Sequence, residues 1–141
     1  MIRVIAICVF RNNGRILVSE GVDTVKQARF ARPLGGGVEV GETSRQAITR
    51  EIREELGQHA TDLRLLGVLE NIFECDGKPG HEVVFVYDGR LADASLYDLP
   101  TLPMTEPGWS TPAQWRALDS FGTDCRLVPD GLEALLGRAG A

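Results

Sequence analysis

The sequence predicts an α/β protein in which a central mixed sheet is flanked by helices, and three observations carry that expectation. Apolar runs occur in hairpin-spaced pairs, Ile2 to Phe10 with Arg15 to Ser19 and Leu65 to Phe73 with Glu82 to Leu91. A capped helical pattern runs from Ser44 to Leu56. A second helical pattern, carrying Leu132, Leu135 and Leu136, follows Asp130. Hairpins give antiparallel neighbours while interleaved helices give crossovers, so the sheet should be mixed. The 141 residues show no linker or repeat and are read as one domain, residues 1–141.

The first run is β-branched and meets Asn13-Gly14, a pair suited to a two-residue hairpin turn. Gln27 to Leu34 alternates weakly, with Ala28, Phe30, Arg32 and Leu34 on one side, and is expected to be a strand feeding a loop at Gly35-Gly36-Gly37. Thr43 followed three residues later by Gln46 is a capping-box pattern, and Gly57 stands where a helix commonly ends. At 100° per residue, Ile48, Ile52 and Leu56 make one stripe, and Ala47, Glu51, Glu54 and Glu55 fill the adjacent sector. Val83 to Tyr87 is continuously apolar, as in a strand covered on both faces. Residues 92–108 hold Pro100, Pro103 and Pro107 and are expected to be a long loop. Thr111-Pro112 with Gln114 reads as the start of a short helix.

The apolar share of 43% and charged share of 25% are ordinary for a folded globular chain and argue against disorder. The net charge of −5 argues against a nucleic acid polymer as partner, because backbone binding needs clustered Lys and Arg. The N-terminal apolar run is too short to span a membrane. Cys8, Cys75 and Cys125 are odd in number and lack CxxC spacing, which points to reduced structural thiols in a cytoplasmic protein. His59 and His81 adjoin none of them and are expected to be solvated loop residues.

The acidic helix carries the chemistry. A charged face is usually only solvated, and Arg50 with Glu54 at i,i+4 is an ordinary surface pair worth about 0.2–0.5 kcal/mol. Glu51 and Glu55, however, are a like-charge i,i+4 pair that costs a similar amount. Clustering Glu51, Glu54 and Glu55 therefore calls for a compensating cation. Carboxylates joined by backbone carbonyls and water suit Mg²⁺, with Mn²⁺ as a substitute, rather than zinc or copper. Gly35, Gly36 and Gly37 let the backbone approach an ion or phosphate closely, and Glu42 could reach Arg50 across the first helical turns.

Gly36, Glu42, Arg50, Glu51, Ile52, Glu54, Glu55 and Gly57 resemble the signature of the Nudix hydrolases over residues 36–58. The match fails only at the last position, where Gln58 replaces a hydrophobic residue. The signature spans 23 of the 141 residues, and the surrounding pattern of elements is similar to that family's α/β/α sandwich. The resemblance implies Mg²⁺-dependent hydrolysis of a pyrophosphate linkage in a nucleoside diphosphate derivative, by attack of water on phosphorus. It implies Glu51 and Glu55, with the Gly35 carbonyl, as metal ligands, and Glu54 as a ligand to a further metal or as the group that polarises water. The general base is expected at Glu54 first and Glu106 second, ahead of Glu70 and Glu82. Gly36, Glu42, Arg50 and Gly57 take structural parts, and Arg32 is a candidate clamp for a substrate phosphate. A base-stacking partner is sought among Phe30, Phe73, Phe85, Tyr87 and Trp109. The alternative is a non-catalytic module that senses a nucleotide derivative, and a third is an isomerase on the same scaffold. The expected partner is a small nucleotide derivative, bound by a monomer or homodimer.

Overall fold

A computed structural model of the chain describes residues 1–105 and 111–138. Strands β1 (Arg3–Asn12) and β2 (Arg15–Asp23) join at Asn13-Gly14, where φ values of 53° and 76° meet the demand of a two-residue turn for two left-handed residues. Strand β3 (Ala28–Gly37) pairs antiparallel with both. Strands β4 (Ala60–Cys75) and β5 (Lys78–Leu91) form the expected long hairpin, and β5 runs parallel to β1. Strands β6 (Thr101–Leu102), β7 (Ala113–Ala117) and β8 (Cys125–Leu127) complete a mixed sheet ordered β4-β5-β1-β3-β2-β7-β6, with β8 beside β3.

Two helices cover opposite faces. Helix α1 (Ser44–Leu56) buries Ala47, Ile48 and Ile52 against Ala6, Cys8, Phe10 and Leu34. Helix α2 (Leu132–Arg138) buries Leu132, Leu135 and Leu136 against Ile5, Ile7 and Val9. Alternate residues of β1 thus feed the two cores, which explains why its apolar run is unbroken. Each large aliphatic side chain so buried contributes about 1.5–3 kcal/mol. The three cysteines are free, with Cys8 and Cys125 buried, and burial pushes the Cys8 thiol well above its ordinary pKa. No helix among the described residues is long and apolar enough to cross a membrane.

Three local expectations are corrected. The triple glycine is not a loop after the strand but the end of β3, with Gly35, Gly36 and Gly37 opposite Ile7, Ala6 and Ile5. Residues after Thr111-Pro112 form β7 rather than a helix: Ala113 and Trp115 point inward and the strand pairs with β2, so tertiary pairing overrides a local helix-start signal. Residues 92–105 are not structureless, since Asp93 caps a 3₁₀ turn at Ala94–Asp98 and Leu102 is buried in β6. His81 likewise sits within β5, half-buried, rather than in a loop.

Helix α1 has the bounds its sequence predicts because both ends are locally encoded. Thr43 accepts from the Gln46 amide at 3.1 Å, the Gln46 side chain accepts from the Thr43 amide at 2.9 Å, and Gly57 closes the helix at φ 67°. Thr43→Ala is expected to lower stability by about 1 kcal/mol, read from the urea midpoint, and an unchanged midpoint would contradict this role for the cap.

Candidate active site

The acidic helix is organised by one guanidinium. Arg50 Nε and Nη2 donate to the two oxygens of Glu42 at 2.8 and 3.0 Å, making a bidentate pair. Its Nη2 also donates to the Gly37 carbonyl at 3.0 Å, and Nη1 donates to Glu51 at 2.9 Å and Glu54 at 3.3 Å. All five N–H groups of the side chain are thereby used. The arrangement ties the end of β3, the 39–42 turn and α1 into one unit, as the Glu42 spacing suggests. The first cause of the low Glu42 pKa is its hydrogen bond from Arg50, helped by the Glu39 amide, and the value falls from about 4.5 to about 2. The same bond raises the pKa of Arg50 further above its ordinary value.

The glycines of β3 are required by this packing. A Cβ on Gly35, whose φ is 155°, would stand 2.0 Å from the Ala6 carbonyl oxygen. A Cβ on Gly36 would stand 2.5 Å from the carboxyl carbon of Glu51 and 2.6 Å from each of its oxygens. The Glu51 carboxylate therefore lies directly against the Gly36 backbone. Glu55 is 2% exposed beneath the helix, whereas the Glu54 side chain is 59% exposed.

Glu51 and Glu54 converge on Arg50 rather than on one another. Among the described residues, no three His, Cys, Asp or Glu side chains stand close enough to hold one ion. The donor chemistry nonetheless fits a hard divalent cation: Glu51, Glu54, Glu55 and the Gly35 carbonyl all offer oxygen. One guanidinium is shared by Glu42, Glu51 and Glu54, leaving negative charge in excess.

The end of α1 is tied to a distant segment. The Thr105 amide donates to the Glu55 carbonyl at 2.9 Å, and its hydroxyl donates to the carbonyls of Glu54 and Glu55. Glu106 and Trp109 lie outside the described residues. Glu70 is exposed on β4, and Glu82 is on β5 with its side chain 12% exposed. The Thr105 tie has no local sequence signal, since its partners are about fifty positions away.

A cavity of about 380 Å³ opens where β3 leaves β1 to pair with β2 and β8. Arg32, Phe30 and Phe73 line it, whereas Phe85 and Tyr87 pack in the α1 core. Four cations line the cavity. Arg29 is held by Glu20 at 2.6 Å, Arg126 by Asp130 at 2.8 Å, and Lys26 by the Glu74 carbonyl at 3.2 Å. Arg32 has no such partner among the described residues, which leaves its guanidinium available to an anion.

A mixed sheet between two helices, with an arginine-centred glutamate cluster beneath a glycine-ended strand, defines the fold and site of a Nudix domain. The chain belongs to the Nudix family: residues 1–122 match the NUDIX domain model. It is 31% identical over 107 residues to the putative mutator protein MutT4 of Mycobacterium tuberculosis, a match covering 66% of this chain and 43% of that protein. It is 44% identical over 61 residues to the CTP pyrophosphohydrolase of Escherichia coli, covering 43% of this chain and 44% of that protein. The chain thus spans less than half the length of these curated relatives in the matched regions. Among solved structures, a MutT NUDIX hydrolase from Burkholderia pseudomallei superposes with a TM-score of 0.70 at 27% identity, over 96% of this chain and 97% of that one.

Because the folded pKa of Glu42 lies below its ordinary value, its contribution is full above about pH 4.5 and disappears as pH falls through about 2. The stability gap between wild type and Glu42→Gln, followed by chemical denaturation, should be constant near neutrality and close across that acid window. A gap unchanged at low pH would contradict the Arg50 pairing.

Proposed function

We propose that the chain hydrolyses a pyrophosphate linkage in a nucleoside diphosphate derivative, with Mg²⁺ as its cofactor and Mn²⁺ as a substitute. The single observation that supports this best is the Arg50-centred cluster, which holds Glu51 against Gly36 within a family whose signature the chain carries. Glu51 and Glu55, with the Gly35 carbonyl, would hold the cation, and Glu54 would hold a further ion or the attacking water. A bound divalent ion neutralises the non-bridging oxygens and lowers the pKa of water. The chain's own residues do the rest. Arg50 fixes the carboxylates, so little side-chain freedom remains to be lost when substrate binds. Arg32 offers a forked pair of donors to a phosphate.

Water forms the new P–O bond as the anhydride P–O bond breaks, and its proton passes to a carboxylate. We assign that base to Glu54, with Glu106 second. Hydrolysis is favoured over a sensing module because Glu42, Arg50 and all three signature glutamates are retained. The net charge of −5 favours a small nucleotide over a nucleic acid polymer, and the free thiols favour a cytoplasmic setting. The relatives named for mutator and CTP pyrophosphohydrolase activity direct the first assays to nucleoside triphosphates.

Chromatography of products from a nucleotide panel with Mg²⁺ tests this reading. Glu51→Gln is expected to lower turnover about 100-fold with an unchanged melting temperature. Wild type inert across the panel, or Glu51→Gln fully active, would overturn it. Glu54→Gln is expected to lose about 100-fold or more and Glu106→Gln less, and the reverse order would move the base to Glu106.

A further inference from the structure

Helix α1 is anchored at three places along its length. At its start the Ser44 and Tyr87 hydroxyls lie 2.6 Å apart and Arg45 Nη2 donates to the Leu63 carbonyl at 2.9 Å, which holds the first turn to β5 and β4. In the middle, Arg50 Nη2 donates to the Gly37 carbonyl at the end of β3. At its end the anchor is Thr105. The last carbonyls of a helix have no partner within it. The Arg53 carbonyl accepts from the Gly57 amide at 2.9 Å, whereas the Glu54 carbonyl accepts from the Thr105 hydroxyl. The Glu55 carbonyl accepts from the Thr105 amide at 2.9 Å and shares the hydroxyl at 3.2 Å.

Thr105 is itself fixed from the far side of the sheet. Three residues earlier Leu102 is buried in β6 opposite Ala113 of β7, and Met104 packs against the α1 core. Because β7 pairs with β2, the tie runs from the helix end to the outer strands of the sheet. The two residues so held are those that carry Glu54 and Glu55. Glu51 has supports of its own, the Gly36 backbone and the Arg50 bond at 2.9 Å. The Glu54 side chain is 59% exposed, and its one ion pair among the described residues is with Arg50 at 3.3 Å. The backbone of the last turn therefore sets where Glu54 stands relative to Glu51. Helix ends fray by a residue or two, and groups that act together at a site must be held to within about 0.5 Å.

We propose that Thr105 is a positioning residue for the glutamate cluster: its hydroxyl pins the last turn of α1 and so keeps Glu54 and Glu55 in register with Glu51. The amide bond to the Glu55 carbonyl is one that any residue except proline can make. The hydroxyl is what this side chain adds, and it reaches two carbonyls at once. Valine has the same shape without the hydroxyl, and serine keeps the hydroxyl without the methyl group. The inference rests on the cation reading of the preceding section and names the residue that sets the geometry of that site.

Three measurements on the full chain, comparing wild type with Thr105→Val and Thr105→Ser, test this role. Hydrogen exchange at the Gly57 amide, which reports fraying of the last turn without any metal, should quicken about 10-fold in Thr105→Val. Mn²⁺ binding should weaken about 10-fold, and kcat should fall to a similar degree with KM nearly unchanged. Thr105→Ser should restore all three. Wild-type exchange and Mn²⁺ affinity in Thr105→Val, or a loss that Thr105→Ser leaves in place, would overturn the proposal, as would a wild type that binds no Mn²⁺. The readouts also separate this inference from the proposed hydrolysis. Exchange and Mn²⁺ affinity that follow the hydroxyl, in a chain that cleaves no nucleotide, keep the positioning role and remove the hydrolase. Cleavage by wild type that Thr105→Val matches in full does the opposite.

Discussion

The site depends on one side chain, the Arg50 guanidinium. Its five N–H groups point at Glu42, Glu51, Glu54 and the Gly37 carbonyl, so it joins the strand, the turn and the helix into one unit. At a surface-like dielectric, two carboxylates about 4 Å apart repel by about 4 kcal/mol, and the shared cation makes their clustering tolerable. A lysine would supply the charge without the planar fork, and would hold fewer of these partners at once. One guanidinium among Glu42, Glu51 and Glu54 leaves negative charge in excess, which is the electrostatic condition for recruiting a divalent cation.

The sheet sets where that surface lies. Gly35 and Gly36 let β3 pass close to β1 on one side and receive the Glu51 carboxylate on the other. Beyond Leu34, toward its beginning, β3 changes partners from β1 to β2 and β8, and the cavity opens at that divergence. The buried Asp23 carboxylate helps hold one wall. It accepts from the amides of Val25, Lys26 and Asp76, and its pKa is lowered chiefly by the Lys26 bond. The acidic cluster and the cavity are thus two consequences of one strand.

What was legible in the sequence was what is encoded locally. Thr43, Gln46 and Gly57 set the ends of α1 to the residue, and the eight-residue separation of Glu42 and Arg50 foretold their pairing. The triple glycine was misread as a loop because glycine signals freedom, while here it meets a demand for close approach within a ladder. Thr111-Pro112 carried a helix-start signal that pairing with β2 outweighed, and β8, at three residues, is too short to show a period.

The central claim is that the Arg50-held glutamates form a cation site. Titration of Mn²⁺ into metal-free protein, followed by the electron paramagnetic resonance signal of the free ion, tests it most directly. Saturable binding by wild type, weakened about 10-fold or more by Glu51→Gln, is the expected result. Equal binding by both proteins, or none by wild type even with a non-hydrolysable nucleotide present, would contradict it.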